Sequence, residues 1–479
     1  MSCATGGLSA ANLFDALGRV EQIEWTVGTN MLYKFNYAYN TVGMVTQKVT
    51  TLNDQQMTNS YAYDSLDRLT SEISVGSVTS VVQYSYDLVG NRTQAVVNGA
   101  TISYTLGAGN RLAGWGTNGR QQLDSAGNVT NVQYDDGRQL ALQWDSRYRV
   151  TEVKTNGAVA ETYQYDALGR RISVSDGSTT DYLIYDGIHC IAETDATGNL
   201  IKSYTYGPGI DNILSMTVYG STTSTYYYVK DHLGTVAAVA DSGGQIVESY
   251  QYDAWGNVLE VKDGAGVSHP SSVVGNRYTW QGREYSWKTG LYYFRARWYD
   301  PVTGRWLSND PIGISGGLNQ YVFCSDNPVN FIDPTGLCKE PLKDRQKQRI
   351  QNVIDRLTAA GIAPPKLREI LDQGSIYIDQ DLQNIGVVHW YAPNKIGLEK
   401  FMFPVLDSQE TKDFLLEVIV HEYVHTQQFS NPISTSFFLL LHGIGQVPYM
   451  PNGTEYMADI MAKNALLTVR NHESGTKLK

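Results

Sequence analysis

One short phrase recurs along the first half of the chain. It consists of an aromatic residue, Asp, two variable residues, Gly, and then Arg or Asn. Copies or close variants of it lie at residues 14–19, 63–68, 86–92, 165–170 and 252–257. Self-similarity of this kind indicates a repeat architecture, in which each unit buries its apolar face only against its neighbours.

Each copy of the phrase has the chemistry of a turn between two strands. Asp can accept hydrogen bonds from the backbone just ahead of it, and Gly provides a position with positive φ. The residues between copies alternate β-forming and polar types, as in residues 81–86. Stacked hairpins of this kind predict a β-solenoid or a curved, enclosing sheet. Helix signals are nearly absent before about residue 340.

A different passage ends this half of the chain. Residues 292–301 read YYFRARWYDP, residues 304–311 read GRWLSNDP, and residues 328–337 read PVNFIDPTGL. Together with the repeats, these strings resemble the YD-repeat core of Rhs and teneurin-type proteins, and the resemblance covers about residues 10–337. It implies a hollow β-shell, typical of polymorphic toxins, around a variable C-terminal effector.

The resemblance also implies a self-cleavage site. The string at residues 328–337 fits the PxxxxDPxGL motif, after which the family cuts itself by an aspartyl-type mechanism. Asp310 and Asp333 match the catalytic aspartates, and the cut falls between Leu337 and Cys338. Taken alone, each Asp-Pro pair is first of all a turn signal. As a pair, two carboxyls that share one proton can divide the roles of acid and base.

The predicted fold is therefore multidomain, with an all-β YD-repeat shell followed by a small α+β zincin-like domain. Residues 1–277 form the shell, which is expected to be incomplete at its N-terminus because the chain begins within the repeats. Residues 278–337 form the core-associated region, and residues 338–479 the C-terminal domain. The predicted strands of that domain are residues 375–379 and 385–391, and its predicted helices are residues 342–360, 408–429 and 454–470.

The predicted helix at residues 408–429 carries the HExxH pattern. His421 and His425 are four residues apart and share a helix face, so both can bind one Zn²⁺ while Glu422 acts as the base. This pattern predicts a zinc metalloendopeptidase. Downstream, Glu455 resembles the third ligand of gluzincins, and Asp459 their second-shell residue that orients a ligand histidine.

The third zinc ligand has two alternatives. Asp459 could bind the metal itself, as in aspartate-type zincins. His442 could also bind, although it lies in the apolar run of residues 437–444, where a structural histidine is expected.

Charge bears on the possible partners. Residues 338–479 hold 15 Lys and Arg against 16 Asp and Glu, which leaves 22 against 32 in residues 1–337 out of totals of 37 and 48. Neither part is basic, so nucleic acid is not an expected partner. The expected partners are a protein substrate, a cognate immunity protein and a secretion-machine carrier.

The N-terminal residues have no basic and apolar signal pattern, and no stretch is long enough to span a membrane. Together with this absence, the resemblance to polymorphic toxins implies an exported effector without a signal peptide, delivered into target cells or extracellular. Two other functions stay open. One is a teneurin-like scaffold or adhesin with a non-catalytic C-terminal domain, and the other is a metallopeptidase that acts only in maturation of its own carrier.

Overall fold

The computed structural model describes residues 8–52, 55–76, 79–313 and 317–337, together with three short strands between residues 376 and 399. The chain divides into two compact units, one of Met1–Pro311 with Asn319–Cys338 and one of Ile312–Leu318 with Lys339–Lys479. Within the described residues, no helix is both long enough and apolar enough to cross a membrane.

The first unit is dominated by one antiparallel sheet of 24 strands. Its first twelve strands are β1 (Leu8–Phe14), β2 (Val20–Val27), β3 (Asn30–Tyr39), β4 (Val45–Leu52), β5 (Gln55–Tyr63), β6 (Leu69–Val75), β7 (Ser80–Tyr86), β8 (Arg92–Val97), β9 (Ala100–Leu106), β10 (Leu112–Trp115), β11 (Gly119–Leu123) and β12 (Val129–Gln133). The next twelve are β13 (Gln139–Trp144), β14 (Val150–Thr155), β15 (Ala158–Tyr165), β16 (Arg171–Ser175), β17 (Thr180–Asp186), β18 (His189–Thr194), β19 (Leu200–Tyr206), β20 (Ile213–Val218), β21 (Ser224–Lys230), β22 (Val236–Ala240), β23 (Ile246–Tyr252) and β24 (Val258–Asp263).

Each of these strands pairs with the next one along the chain, so the sheet is a continuous meander of hairpins. The predicted all-β repeat architecture is confirmed in this form. In β5, β15 and β23 the register shifts just before the tyrosine that opens the repeated phrase. A bulge at that point bends and twists the strand, so the bulge recurs with the repeat.

The turn at residues 165–170 shows how the phrase works. Asp166 Oδ1 accepts the backbone N–H groups of Leu168 and Arg170, both at 2.9 Å, and Asp166 Oδ2 binds Arg170 Nε at 2.7 Å. Gly169 takes φ +83°, as a type I turn followed by a glycine bulge requires. The hydrogen bonds that stabilise the turn are therefore made within the five residues 166–170 of the phrase itself.

The tyrosine of the phrase connects successive hairpins. Tyr165 Oη donates to the carbonyl of Val150, at 2.7 Å, in the strand that follows the preceding turn. The same bond recurs along the sheet, from Tyr39 to Val20, Tyr63 to Val45, Tyr86 to Leu69, Tyr185 to Arg171, Tyr206 to Cys190 and Tyr252 to Val236. The hydroxyl thus donates to a backbone carbonyl beside the bulge of the preceding hairpin, and it links one hairpin to the next.

The sheet curves far enough for distant strands to share a core. Phe35 and Tyr84 belong to the same buried cluster as Val229, Ala238 and Trp255, about 150–220 residues later in the sequence. Buried apolar area of this kind is the main stabilising contribution to such a fold.

Residues 278–311 and 319–337, here together called the closing segment, carry a second, four-stranded sheet. Its strands are β25 (Glu284–Tyr285), β26 (Tyr292–Phe294), β27 (Arg297–Asp300) and β28 (Arg305–Trp306), with 3₁₀ turns at Trp280–Gly282 and Cys324–Asp326. A cluster of aromatic side chains lies at its centre: Trp280, Tyr292, Phe294, Tyr299, Trp306 and Phe323. The stacked and edge-on rings form a rigid platform for the residues around them.

In the second unit the structure describes one small sheet. Its strands are β29 (Ile376–Asp379), β30 (Val387–Val388) and β31 (Ile396–Glu399), with β31 parallel to β29 and antiparallel to β30. β29 and β30 fall within the two segments predicted as strands. The three predicted helices, and with them the HExxH pattern, lie outside the described residues.

Candidate active site

The structure brings Asp310 and Asp333 to one guanidinium group. Arg297 Nη2 lies 2.8 Å from Asp310 Oδ2 and 3.5 Å from Asp333 Oδ2. All three residues are buried, with residue exposures of 3% for Arg297, 6% for Asp310 and 3% for Asp333. One positive charge thus faces two carboxyls, and its attraction to both offsets the repulsion between them in a buried site.

The ring of Trp306 holds Arg297 from the other side. The guanidinium carbon of Arg297 lies 4.2 Å from the centre of that ring, and Arg297 Nη1 donates to the carbonyl of Gln320 at 3.1 Å. Stacking on an aromatic face and bonding with its planar fork are both typical of arginine, and lysine cannot reproduce them. Arg297 is therefore a fixed bridge between the two carboxyls.

Asp333 also organises the backbone that leads to the predicted cut. Its Oδ1 accepts the backbone N–H of Gly336 at 2.8 Å and that of Leu337 at 3.1 Å. Gly336 takes φ +73°, and an added Cβ there would lie 2.6 Å from the carbonyl oxygen of Phe294. The chain can therefore reach Leu337 in this conformation only because residue 336 is glycine.

A cavity of about 370 Å³ lies beside Asp333. Its lining includes Ile23 and Trp25 from β2, and Asp333 and Pro334 from the closing segment. A single water needs only about 10–15 Å³ of such volume, so the cavity has room for water next to the carboxyl.

These features together have the components of a hydrolytic site. Two carboxyls can act as base and acid, water has room beside one of them, and that same residue binds the backbone that leads to the predicted cut. The sequence indicated Asp310, Asp333 and Leu337 but missed Arg297. The available signal was an arginine inside the aromatic run of residues 292–301, where a charge has to find buried partners.

The closing segment is attached to the turns of the repeats. Asn309 Nδ2 donates to the carbonyl of Ala126 at 2.7 Å, and Asn327 Nδ2 donates to that of Asp67 at 2.7 Å. The carbonyl of Gly127 accepts the hydroxyl of Tyr321, also at 2.7 Å. Turn carbonyls of the repeats thus accept hydrogen bonds that fix the position of the segment that carries both aspartates.

The comparison with protein families identifies this architecture. Residues 5–329 match the family model described as the Teneurin YD-shell. The chain belongs to the teneurin YD-shell family. The resemblance to YD-repeat cores is therefore confirmed for the repeats and for most of the closing segment.

Relatives of this chain include a protein named as a tRNA nuclease and one named as a toxin. The chain is 35% identical over 286 residues to the tRNA nuclease WapA of Bacillus subtilis, an alignment that covers 57% of this chain and 12% of the relative. It is 27% identical over 372 residues to the double-stranded DNA deaminase toxin A of Burkholderia cenocepacia, covering 70% of this chain and 25% of the relative. The chain thus spans a quarter or less of the length of these two proteins.

A solved structure shares the fold of the YD shell. The Tc holotoxin pore of Photorhabdus luminescens superposes with a TM-score of 0.57 at 22% sequence identity, over 69% of this chain and 18% of the other. At this level of identity the match bears on the fold alone.

The comparisons contradict the predicted zinc metalloendopeptidase, because the relatives are named as tRNA nucleases and a DNA deaminase toxin. The prediction depended on His421, Glu422, His425 and Glu455, which lie outside the described residues, as do Asp459, His442 and Cys338. The physical reason for the error is that HExxH spacing only places three side chains on a helix. It does not supply the pocket that determines a reaction.

The exclusion of nucleic acid as a partner also loses its support. It depended on net charge alone, whereas these relatives are named for nucleic-acid substrates. Their names give no support to a protein substrate for this chain.

Proposed function

We propose that this YD shell is part of an exported toxin that cuts itself after Leu337 and so frees residues 338–479 as the toxic part. The observation that carries the proposal is the pair Asp310 and Asp333 on the single guanidinium of Arg297. The relative that is named as a toxin supports the role, and it favours this role over a scaffold or adhesin.

The proposed reaction is hydrolysis of the peptide bond between Leu337 and Cys338. One carboxyl of the pair takes a proton from water, and the water oxygen bonds to the carbonyl carbon of Leu337. The other carboxyl supplies a proton as the carbon–nitrogen bond breaks. The products are a carboxylate on Leu337 and an amine on Cys338. Arg297 keeps the two carboxyls together throughout, and Asp333 holds the N–H of Leu337.

The processing step is tested on the purified full-length chain by mass spectrometry. We expect a fragment of 142 residues, the length that follows Leu337 in a chain of 479. Asp333→Asn and Asp310→Asn should each abolish it, because an amide can neither take up nor release the required proton. Asp195→Asn, in an exposed repeat turn, is the matched control and should be cut like the wild type. An intact wild-type chain, or a cut that persists in Asp333→Asn, would refute the proposed mechanism.

The toxic role is tested by expressing the full-length chain in bacteria. Growth should stop, and Asp333→Asn should relieve the arrest because residues 338–479 stay attached. The names of the relatives make tRNA cleavage and DNA deamination the first kinds of damage to measure in the arrested cells. Growth that continues while the wild-type chain is expressed would refute the toxic role.

The proposal also includes a cognate immunity protein and a secretion-machine carrier. A neighbouring gene product that restores growth and binds residues 338–479 would identify the immunity protein. Detection of the chain outside the producing cell, and its loss when a secretion machine is deleted, would identify the carrier.

A further inference from the structure

Asp211 joins a turn of the repeats to the segment that is to be cut. It lies between β19 and β20, takes φ +57°, and has a side-chain exposure of 10%. Asp211 Oδ1 lies 2.8 Å from Arg283 Nη1, and Asp211 Oδ2 lies 3.0 Å from Arg295 Nη1. A second bond, from Arg295 Nη2 to Asp211 Oδ1, makes the pairing with Arg295 bidentate.

Arg295 in turn binds the residues that precede the cut. Its Nη1 donates to the carbonyl of Pro334, the N–H of Ala296 donates to that of Thr335 at 3.1 Å, and Nε of Arg297 donates to that of Gly336. Three consecutive residues therefore hold three consecutive carbonyls, and the next residue is Leu337. Within this row, Arg295 is bound by a side chain from the repeats, that of Asp211.

The turn that carries Asp211 is closely seated against the closing segment. A Cβ added at Gly282 would lie 3.0 Å from the carbonyl oxygen of Asp211. Gly282 itself has φ +67°, so the backbones approach closely at a position that favours glycine. The carboxyl of Asp211 thus has little freedom to move away from Arg295.

We propose that Asp211 is a positioning residue for cleavage after Leu337, acting through Arg295. The proposal rests on the proposed self-cleavage. Without its countercharge the part-buried guanidinium of Arg295 rearranges, and Pro334 loses a charged hydrogen bond. A displacement of about 1 Å in a reacting group costs on the order of a hundredfold in rate. The bond at Leu337 lies three residues from Pro334, so cleavage should slow although both catalytic aspartates are intact.

The first experiment follows cleavage of the full-length chain in Asp211→Asn, which keeps the size of the side chain and removes its charge. We expect cleavage to be at least about tenfold slower than in the wild type. Asp181→Asn is the matched control, because Asp181 pairs with Arg277 at 3.3 Å and has no bond to residues 333–337 among the described contacts. It should be cut at the wild-type rate. Wild-type cleavage in Asp211→Asn would overturn the proposal.

The second experiment measures position without relying on the reaction. In an Asp310→Asn background, hydrogen exchange is measured at the amides of Gly336 and Leu337, with and without Asp211→Asn. Both amides should exchange at least about tenfold faster without Asp211, whereas the amides of β19 and β20 should be unchanged. A merely structural role would accelerate exchange in the hairpin as well.

The two experiments separate the possible failures. Unchanged exchange at Gly336 and Leu337 overturns the positioning role whatever the cleavage rate. Faster exchange in a protein whose wild type never cuts itself refutes the proposed self-cleavage, yet it keeps Asp211 as the residue that holds the segment.

Discussion

Glu72 shows how a single carboxyl can make the stability of this shell depend on pH. It is 1% exposed, and its Oε2 accepts the N–H of Ala254 at 3.0 Å, while Oε1 has no hydrogen-bond partner among the described residues. Burial, and secondarily the neighbouring carboxyl of Asp253, raises the pKa of Glu72 to about 8. The folded protein therefore favours the neutral carboxylic acid.

The sign of the effect follows from the two states. The pKa of Glu72 is raised above its unfolded value of 4.5, so its stabilising contribution is complete below about pH 4.5 and is lost as the pH rises to about 8. His232 titrates in a different range, because burial lowers its pKa from 6.5 to about 4. Above pH 6.5 most of the histidine is neutral in both states, and its remaining contribution is small beside that of Glu72, which can therefore be examined in this range.

We predict that Glu72→Gln removes this dependence. Between pH 6.5 and 8 the free energy of unfolding of the wild type should fall by up to about 1.4 kcal/mol per pH unit, and the variant should be nearly level over the same range. Denaturant unfolding at several pH values measures both. Glu21→Gln, at an exposed position of β2, should behave like the wild type. A wild-type stability that rises over this range would contradict the prediction.

At the scale of one element, the same turn serves two purposes. The turn at residues 165–170 has its glycine in open space, since an added Cβ at Gly169 meets nothing within 4 Å. In the equivalent turn at Gly127, an added Cβ would come within 2.5 Å of Asn309 Nδ2 and 2.6 Å of Tyr321 Oη. The first turn only reverses the chain, whereas the second also receives the closing segment.

These two glycines make a matched pair of substitutions. Both have nearly the same positive φ, +83° at Gly169 and +89° at Gly127, so alanine costs about 1–2 kcal/mol of backbone strain at either position. We predict that Gly127→Ala destabilises the protein by at least about 1 kcal/mol more than Gly169→Ala, because alanine also displaces Asn309 and Tyr321. Denaturant unfolding of both variants provides the comparison. Equal losses of unfolding free energy would show that the contact of Gly127 with Asn309 and Tyr321 does not contribute to stability.

Over the whole first unit, the aromatic cluster of the closing segment joins distant parts of the chain. Trp280 stacks on Tyr299 with ring centres 5.6 Å apart, and its ring also lies against Gly256 of a repeat turn, where an added Cβ would come within 2.5 Å. The tryptophan therefore connects the repeats to the sheet that carries Arg297.

We predict that Trp280→Ala lowers the free energy of unfolding by about 3–5 kcal/mol, as expected for a large buried aromatic side chain. Thermal and denaturant unfolding measure the loss. Leu88→Ala, at a turn residue that is 84% exposed, should change stability by less than about 0.5 kcal/mol. If Trp280→Ala also lowered the free energy of unfolding by less than about 0.5 kcal/mol, the cluster would not hold the two sheets together.

Zinc binding stays a prediction, since its residues lie outside the described part of the chain. Elemental analysis of the purified full-length protein should find about one zinc per chain, because the predicted residues form a single set of three side-chain ligands. Water would take the fourth position. His421→Ala and Glu455→Ala should lose the metal, and His442→Ala should keep it. A wild-type protein without zinc would contradict the predicted zinc site. Loss of zinc in His442→Ala but not in Glu455→Ala would show that His442, and not Glu455, is the third ligand.

The sequence by itself determined the repeat, its turn and the all-β class of the first unit. The contacts behind these features are local. Asp166 binds backbone and side-chain groups no more than four residues away, so the phrase carries its own structure wherever it occurs. The aspartate pair was also within reach of the sequence, through the resemblance to YD-repeat cores, with Asp333 inside the motif that ends at Leu337 and Asp310 ahead of it.

Only the tertiary structure decided what surrounds that pair. Arg297 meets residues 13 and 36 positions away, and Asp211 meets Arg295 at a separation of 84 residues. No spacing in the sequence encodes such contacts, because they depend on how 24 strands curve and on where the closing segment binds their turns. The same reason explains why the HExxH spacing alone led to a wrong prediction, since a pattern on one helix does not contain the pocket around it.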